Sequence, residues 1–208
     1  MKKIGRMVNR GWVPNEVKKE LDRDVAMPYQ LKFTLLGMQP PIWRRIAVSG
    51  GISLGALHSV LLRAMGWDGG HMHLFHVGKT DYGEPHPELD HVVDQRKTRL
   101  CDIAPKTKKK FIWEYDMGDS WMHEIVIEKI DHAGAPIKGA AVCLDGARAC
   151  PPEDCGGVWG YEDLLKAISD PKHESHEEML EWVGGEFDPE AFDLTATNKA
   201  LQRLKEPR

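Results

Sequence analysis

The feature that most constrains the fold is the stretch FIWEYDMGDSWMHEIVIEKI, residues 111–130. Large apolar side chains occupy every second position on both sides of a Gly-containing turn at 116–120. This period of two is typical of strands with one buried face, and two such runs joined by a short turn predict a β-hairpin. A chain built around this hairpin has a sheet that buries one of its faces.

Further elements are predicted upstream of the hairpin. Residues 29–35 and 42–48 alternate in the same way and predict two strands. They precede a run of apolar residues at helical spacing, for which Ser53 is a suitable N-cap and Gly66 a suitable stop. Residues 71–77 predict another strand. The chain therefore begins with a β-β-α unit and continues into a sheet.

The C-terminal third is predicted to be helical. Apolar residues at helical spacing indicate helices near 161–168, 179–183 and 194–204. Strands come first and helices later, without a repeating βαβ unit, which indicates the α+β class with a mainly antiparallel sheet. We expect a single domain over residues 28–205, preceded by a polar N-terminal extension over residues 1–27.

Length and charge restrict the class of protein. The chain has 208 residues and a mass of 23.5 kDa, which suits one domain. Its formal net charge of −4 at pH 7 excludes a globally basic nucleic-acid-coating protein. The sequence has neither the apolar core of a secretory signal nor an apolar run long enough to span a membrane. We expect a cytoplasmic protein without membrane association, in which thiols stay reduced.

Three of the four cysteines lie close together, at C-x6-C-x4-C spacing. Cys143, Cys150 and Cys155 could supply three thiolates to a structural zinc ion, with Cys101 or a distant histidine as the fourth ligand. The alternative is that the thiols are small buried side chains that pack a rigid loop. The sequence leaves both interpretations open.

Histidines form a second candidate site. His71 and His73 would point to the same side of the predicted strand, and His123 lies on the predicted hairpin. Three histidines with an open coordination position could form the metal centre of a hydrolase or another metalloenzyme, with Asp119 or Glu153 as its base. The alternative is that His123 is a hydrogen-bonded histidine of the core.

A basic segment precedes the hairpin and is the feature that suggests nucleic acid as a partner. Its cations could contact phosphates, with the neighbouring aromatic residues as stacking surfaces. Charge runs of this kind also occur as solvated loops or as protection for strand edges. The basic segment consists of Arg96, Lys97, Arg99, Lys106, Lys108, Lys109 and Lys110.

Several short motifs occur in a fixed order along the chain: WRRIAV, a helix ending in AMGW, then GHMHLF, YDMGDSWMHEI, CPPEDCGGVWGY and FDPEAFD. Together they resemble the plasmid pRiA4b ORF-3-like family, whose members include transposon passenger proteins labelled TnpR. The resemblance implies a single α+β domain without an established activity. No standard nucleotide-binding or hydrolase motif accompanies it.

The resemblance implies a non-enzymatic binding or accessory module associated with plasmids or transposons. Its partner would be nucleic acid or another protein of the mobile element. The family's motif positions suggest a binding surface at Tyr115, Asp116, Trp121, Asp154 and Tyr161. A metalloenzyme and a domain with a structural zinc remain the alternatives.

Overall fold

The computed structural model describes residues 26–87 and 91–204, together with the backbone of two short strands nearer the N-terminus. These strands, β1 (Gly5–Val8) and β2 (Gly11–Pro14), pair antiparallel as a separate two-stranded sheet. Most of the predicted N-terminal extension, residues 1–27, lies outside the described residues.

An eight-stranded sheet forms the centre of the domain. Its strands are β3 (Pro28–Leu35), β4 (Trp43–Ser49), β5 (His73–Val77), β6 (Thr80–Gly83), β7 (Val93–Asp94), β8 (Lys110–Tyr115), β9 (Trp121–Ile130) and β10 (Ala141–Ala147). They are ordered β10-β4-β3-β9-β8-β5-β6-β7, and every neighbouring pair is antiparallel except β6 and β7. The predicted α+β class with a mainly antiparallel sheet is confirmed.

The helices follow the predicted distribution. They are α1 (Leu54–Met65), a 3-10 turn (Gln95–Lys97), α2 (Leu100–Ile103), α3 (Gly157–Ser169), α4 (His176–Trp182) and α5 (Leu194–Leu201). Helix α1 begins and ends as predicted, because the Ser53 hydroxyl accepts a hydrogen bond from the Ala56 N–H, and Gly66 has a φ of 114°. None of the helices in the described ranges is long and apolar enough to cross a membrane.

The core lies against one face of the sheet. Strand β9 alternates buried and partly exposed positions along most of its length, as the period-two pattern predicts. Trp113 and Trp121 are fully buried and belong to the same apolar cluster as Leu57 and Leu61 of α1. Burying each such side chain contributes about 1.5–3 kcal/mol. The hairpin aromatics are therefore core residues that hold the sheet against α1.

The edge strand β10 was not predicted, because it follows a Gly/Ala-rich stretch and has exposed residues at several positions. Cys143 lies on this strand rather than in a rigid loop. The side chain of Asn198 in α5 occupies the open edge: its Oδ1 accepts from the Cys143 N–H at 2.9 Å, and its Nδ2 donates to the Cys143 carbonyl at 2.9 Å. The amide thus pairs with β10 as a neighbouring strand would.

Replacing Asn198 by alanine is expected to lower the free energy of unfolding by about 1–2 kcal/mol, because both backbone groups of Cys143 lose their partner. The control is Lys199→Ala, at an exposed position of the same helix, which should change stability by less than about 0.5 kcal/mol. Urea denaturation measures both. Equal midpoints for the two variants would contradict this role for Asn198.

Candidate functional site

A cleft of about 290 Å³ opens beside β5. Its walls are the exposed loops 69–72 and 84–86. The half-buried His58 from α1 and the buried His73 from β5 also line it and form its floor. The cleft therefore lies where α1 meets the end of the sheet, with two imidazole rings at its base.

The two floor histidines, His58 and His73, are stacked. Their ring centroids are 3.2 Å apart and the rings are inclined by 4°. His58 Nδ1 accepts a hydrogen bond from Trp113 Nε1 at 3.2 Å, and His73 Nε2 lies 2.8 Å from Gln95 Oε1. Burial lowers the pKa of His58 to about 2, assisted by His73, and also lowers the pKa of His73. Both rings are therefore neutral near pH 7.

The second part of the site lies beside the cleft and is called the His71 cluster: His71, Asp116 and Asp154. His71 Nδ1 is 3.5 Å from an Asp116 carboxylate oxygen, and His71 Nε2 is 3.3 Å from one of Asp154. One potential ligand atom from each residue lies within 4.8 Å of the other two. Within the described ranges this is the one group of three histidine, cysteine or acidic side chains that meets that spacing.

The CPPED loop, residues 150–154, is held against the site by three hydrogen bonds. Trp67 Nε1 donates to the Pro151 carbonyl at 2.9 Å, and the Tyr115 hydroxyl donates to the Glu153 carboxylate. The other Glu153 oxygen accepts from the Asp68 N–H at 3.2 Å. Burial raises the pKa of the Tyr115 phenol, and the neighbouring Glu153 raises it further, so Tyr115 stays a donor.

Glycines allow the start of α3 to pack against the turn of the hairpin. Gly157 has a φ of 68°, and a Cβ there would lie 2.5 Å from the Asp119 carbonyl oxygen. A Cβ at Gly160 would overlap the Cys155 carbonyl oxygen. The Asp119 carboxylate also accepts from the Gly156 N–H at 3.2 Å. This close approach brings the loop that carries Asp154 to the turn that carries Asp116.

Among the described residues, the three histidines of the predicted metal centre do not form one group of ligands. Strand β5 begins at His73, so His71 precedes it and the argument from alternating side chains does not apply. His123 is fully buried, donates from Nδ1 to the Trp121 carbonyl at 3.0 Å and contacts Trp113 with ring centroids 4.7 Å apart. Burial lowers its pKa to about 3. His123 is therefore a hydrogen-bonded histidine of the core, which was the alternative interpretation of the sequence.

The residues of the predicted binding surface differ in exposure. Tyr115, Trp121 and Tyr161 are fully buried, so their rings cannot contact a partner. Their aromatic character reflects packing of the core instead. Asp116 and Asp154 do lie at the site, as members of the His71 cluster.

The structure places the three cysteines of the predicted zinc site on different elements, a strand and the loop that follows it. Among the residues that the structure describes, Cys143, Cys150 and Cys155 belong to no group of three ligands with mutual spacing suited to one ion. The reason is that Cys143 lies on β10, where its thiol donates to the Asp145 carbonyl at 3.5 Å. Burial raises the pKa of Cys150 well above its usual range and that of Cys155 to about 12.

Several cations of the basic segment pair with acidic neighbours. Arg96 and Lys97 pair with Asp94 at 2.9 Å and 3.6 Å. Arg99 pairs with Asp102 at 2.8 Å and Lys110 with Glu124 at 3.1 Å. The segment therefore presents less net positive charge than its sequence suggests.

The residues that sequence reasoning missed are His58 and Gln95. His58 occupies an apolar face of α1, between Leu57 and Leu61, and a histidine on such a face was the available signal. Gln95 is 1% exposed and lies in the short 3-10 turn Gln95–Lys97. No local pattern marks it as a partner of His73.

Comparison with known proteins now identifies the family. The sequence model of the family described as plasmid pRiA4b ORF-3-like protein matches residues 27–196. The chain belongs to this family. An uncharacterized protein of Sinorhizobium fredii, y4hQ, is 38% identical over 185 residues, covering 86% of this chain and 93% of its own length.

A solved structure in the same comparison has the same fold. The crystal structure of a protein of unknown function from Methanosarcina mazei Go1 superposes with a TM-score of 0.72 and 34% sequence identity. The match covers 81% of this chain and 96% of that one. The resemblance inferred from the ordered motifs is confirmed, and the pRiA4b ORF-3-like domain is the fold described above.

Proposed function

We propose that this chain is a non-enzymatic binding module whose ligand site is the cleft, with a zinc ion bound beside it by the His71 cluster. One observation carries the proposal: an imidazole and two carboxylates approach one another within 4.8 Å at the cleft. These residues come from three segments distant in sequence, and the glycine-mediated packing of α3 brings two of the segments together. A site assembled in this way suits a bound ion.

The chemistry of the three side chains fits zinc. Imidazole nitrogen and carboxylate oxygen both bind Zn²⁺ at about 2.0–2.2 Å. His71 faces Asp116 with Nδ1 at 3.5 Å and Asp154 with Nε2 at 3.3 Å, and one of these two nitrogens would bind the ion. One ligand atom from each of the three residues lies within 4.8 Å of the other two, so a small movement of the carboxylates would bring all three to one ion. Three protein ligands leave a fourth position open. A molecule in the cleft could supply that fourth ligand.

The alternative of a metalloenzyme is less well supported, because its candidate bases are engaged in hydrogen bonds. The Asp119 carboxylate accepts from the Gly156 N–H, and Glu153 accepts from both Tyr115 and Asp68. A general base must face the proton that it removes. Asp119 and Glu153 instead position the loops of the site, which favours binding over catalysis.

The proposed biological setting is an accessory role on a plasmid or transposon. The name of the family refers to a plasmid reading frame, and this name is the support for that setting. In that role the module would act with nucleic acid or with another protein of the mobile element.

Calorimetric titration of the chelator-treated protein with Zn²⁺ tests the metal site. We expect one ion per chain, and His71→Ala and Asp116→Asn should each weaken binding by about 100-fold or more. His173→Ala is the control, because His173 lies in an exposed turn outside the site. Cys150→Ser should leave zinc affinity unchanged. Failure of the wild-type protein to bind zinc, or loss of binding only in Cys150→Ser, would contradict the proposal.

A further inference from the structure

The hydrogen bonds of His58 define its tautomer. An indole N–H can only donate, so His58 Nδ1, which receives the hydrogen bond of Trp113 at 3.2 Å, carries no proton. A neutral imidazole has one proton, which in His58 must therefore reside on Nε2. His58 is thus a hydrogen-bond donor on the side of the ring away from Trp113.

His73 has the complementary arrangement. Its Nε2 lies 2.8 Å from Gln95 Oε1, an oxygen that can only accept. His73 therefore carries its proton on Nε2, and its Nδ1 keeps a lone pair. Because Gln95 is almost fully buried, it holds this tautomer in place.

The second nitrogen of each ring is accessible from the cleft. In the described part of the chain, neither His58 Nε2 nor His73 Nδ1 has a hydrogen-bond partner. Neither belongs to the polar side-chain atoms that are fully buried and unpartnered there, which are Trp121 Nε1, His123 Nε2 and Tyr161 OH. Both residues line the cleft, so a ligand there can reach the two rings.

From this geometry we infer that His58 and His73 bind a planar amide whose C=O and N–H lie side by side, as in a pyrimidine nucleobase. The ring centroids are 3.2 Å apart, so the free donor of His58 and the free acceptor of His73 belong to adjacent rings. A planar amide can bind one donor and one acceptor through two parallel hydrogen bonds, as the side-chain amides of Asn and Gln do at the edge of adenine. The amide oxygen would accept from His58, and the amide N–H would donate to His73.

The surroundings favour a small neutral ligand. A metal ion cannot bind at His58 Nε2 unless the proton leaves that nitrogen and the hydrogen bond from Trp113 is lost. An anion would meet Glu84 in the wall of the cleft and two uncharged rings at its floor. The volume of about 290 Å³ is at the lower end for ligand pockets and suits a single ring. This inference rests on the proposed function in that both assign the cleft as the ligand site.

Nitrogen NMR of the metal-free, ¹⁵N-histidine-labelled protein tests the inference with uracil as the probe. We expect the assigned tautomers in the free protein, and saturable shifts of His58 Nε2 and His73 Nδ1 on adding uracil. Nicotinamide, which carries its amide outside the ring, should shift the same two nitrogens. 1,3-Dimethyluracil keeps the ring shape but has no N–H, so it should cause no shift at His73 Nδ1. Unchanged resonances with both amides, or the same shifts with dimethyluracil, would overturn the inference.

A variant separates this inference from the zinc site. His58→Phe keeps an aromatic ring but removes the donor, and should weaken uracil binding by about 10-fold or more while zinc affinity is retained. His173→Phe is the matched control, at an exposed turn. Uracil binding that is unaffected by His58→Phe would overturn the inference, whereas loss of zinc binding in His71→Ala tests only the metal site. If His58→Phe does not fold, the wild-type NMR titration decides.

Discussion

Gly160→Ala is expected to destabilise the domain by about 3 kcal/mol or more. A Cβ at this position would overlap the carbonyl oxygen of Cys155. Because this oxygen is a backbone atom, a change of side-chain rotamer cannot relieve the overlap. Helix α3 would have to move away from the loop that precedes it. The affected contact is the one that places Asp154 beside His71, so the effect combines lost stability with a displaced site.

A matched control exists for this substitution. A Cβ at Gly70 would meet no atom within 4 Å, so Gly70→Ala should change the unfolding free energy by less than about 0.5 kcal/mol. Guanidinium denaturation followed by tryptophan fluorescence measures both variants. Gly160→Ala with wild-type stability would show that the close approach of α3 to the CPPED loop is not required.

Trp121→Ala is expected to lower the free energy of unfolding by about 3–5 kcal/mol. Trp121 is fully buried, and its ring lies 5.8 Å from that of Trp67 in the cluster that joins the hairpin to the end of α1. Its removal would leave a large cavity between them. The expected phenotype is therefore loss of folding rather than loss of a binding contact.

Trp159 provides the comparison for this prediction, because it is 79% exposed on α3. Trp159→Ala should change stability by less than about 0.5 kcal/mol under the same conditions. If the Trp121→Ala protein unfolds at the wild-type midpoint but no longer binds ligand, Trp121 acts in binding and not in the stability of the core.

The fold could be predicted from sequence where the signal is local. The alternation over β3, β8 and β9 and the caps of α1 at Ser53 and Gly66 depend only on neighbouring residues, and all were identified. Strand β10 was missed because its pairing is non-local: it lies against β4 and is completed by the side chain of Asn198. Its own sequence has no regular alternation of buried and exposed positions.

The site was predicted only in part, for a related reason. His71 and His73 were identified, but their geometry was inferred from a strand that in fact begins at His73. The partner of His73 in the stack, His58, comes from α1, and the two meet only when the helix packs beside β5. Spacing along the chain contains no information about such contacts. Asp154 likewise reaches His71 through the packing of α3.

Anomalous diffraction from crystals soaked in Zn²⁺ tests the proposed metal site most directly. We expect a zinc peak about 2.0–2.2 Å from a ring nitrogen of His71 and from carboxylate oxygens of Asp116 and Asp154. The peak should disappear in crystals of His71→Ala. A peak among Cys143, Cys150 and Cys155, or soaked crystals without zinc at the His71 cluster, would contradict it.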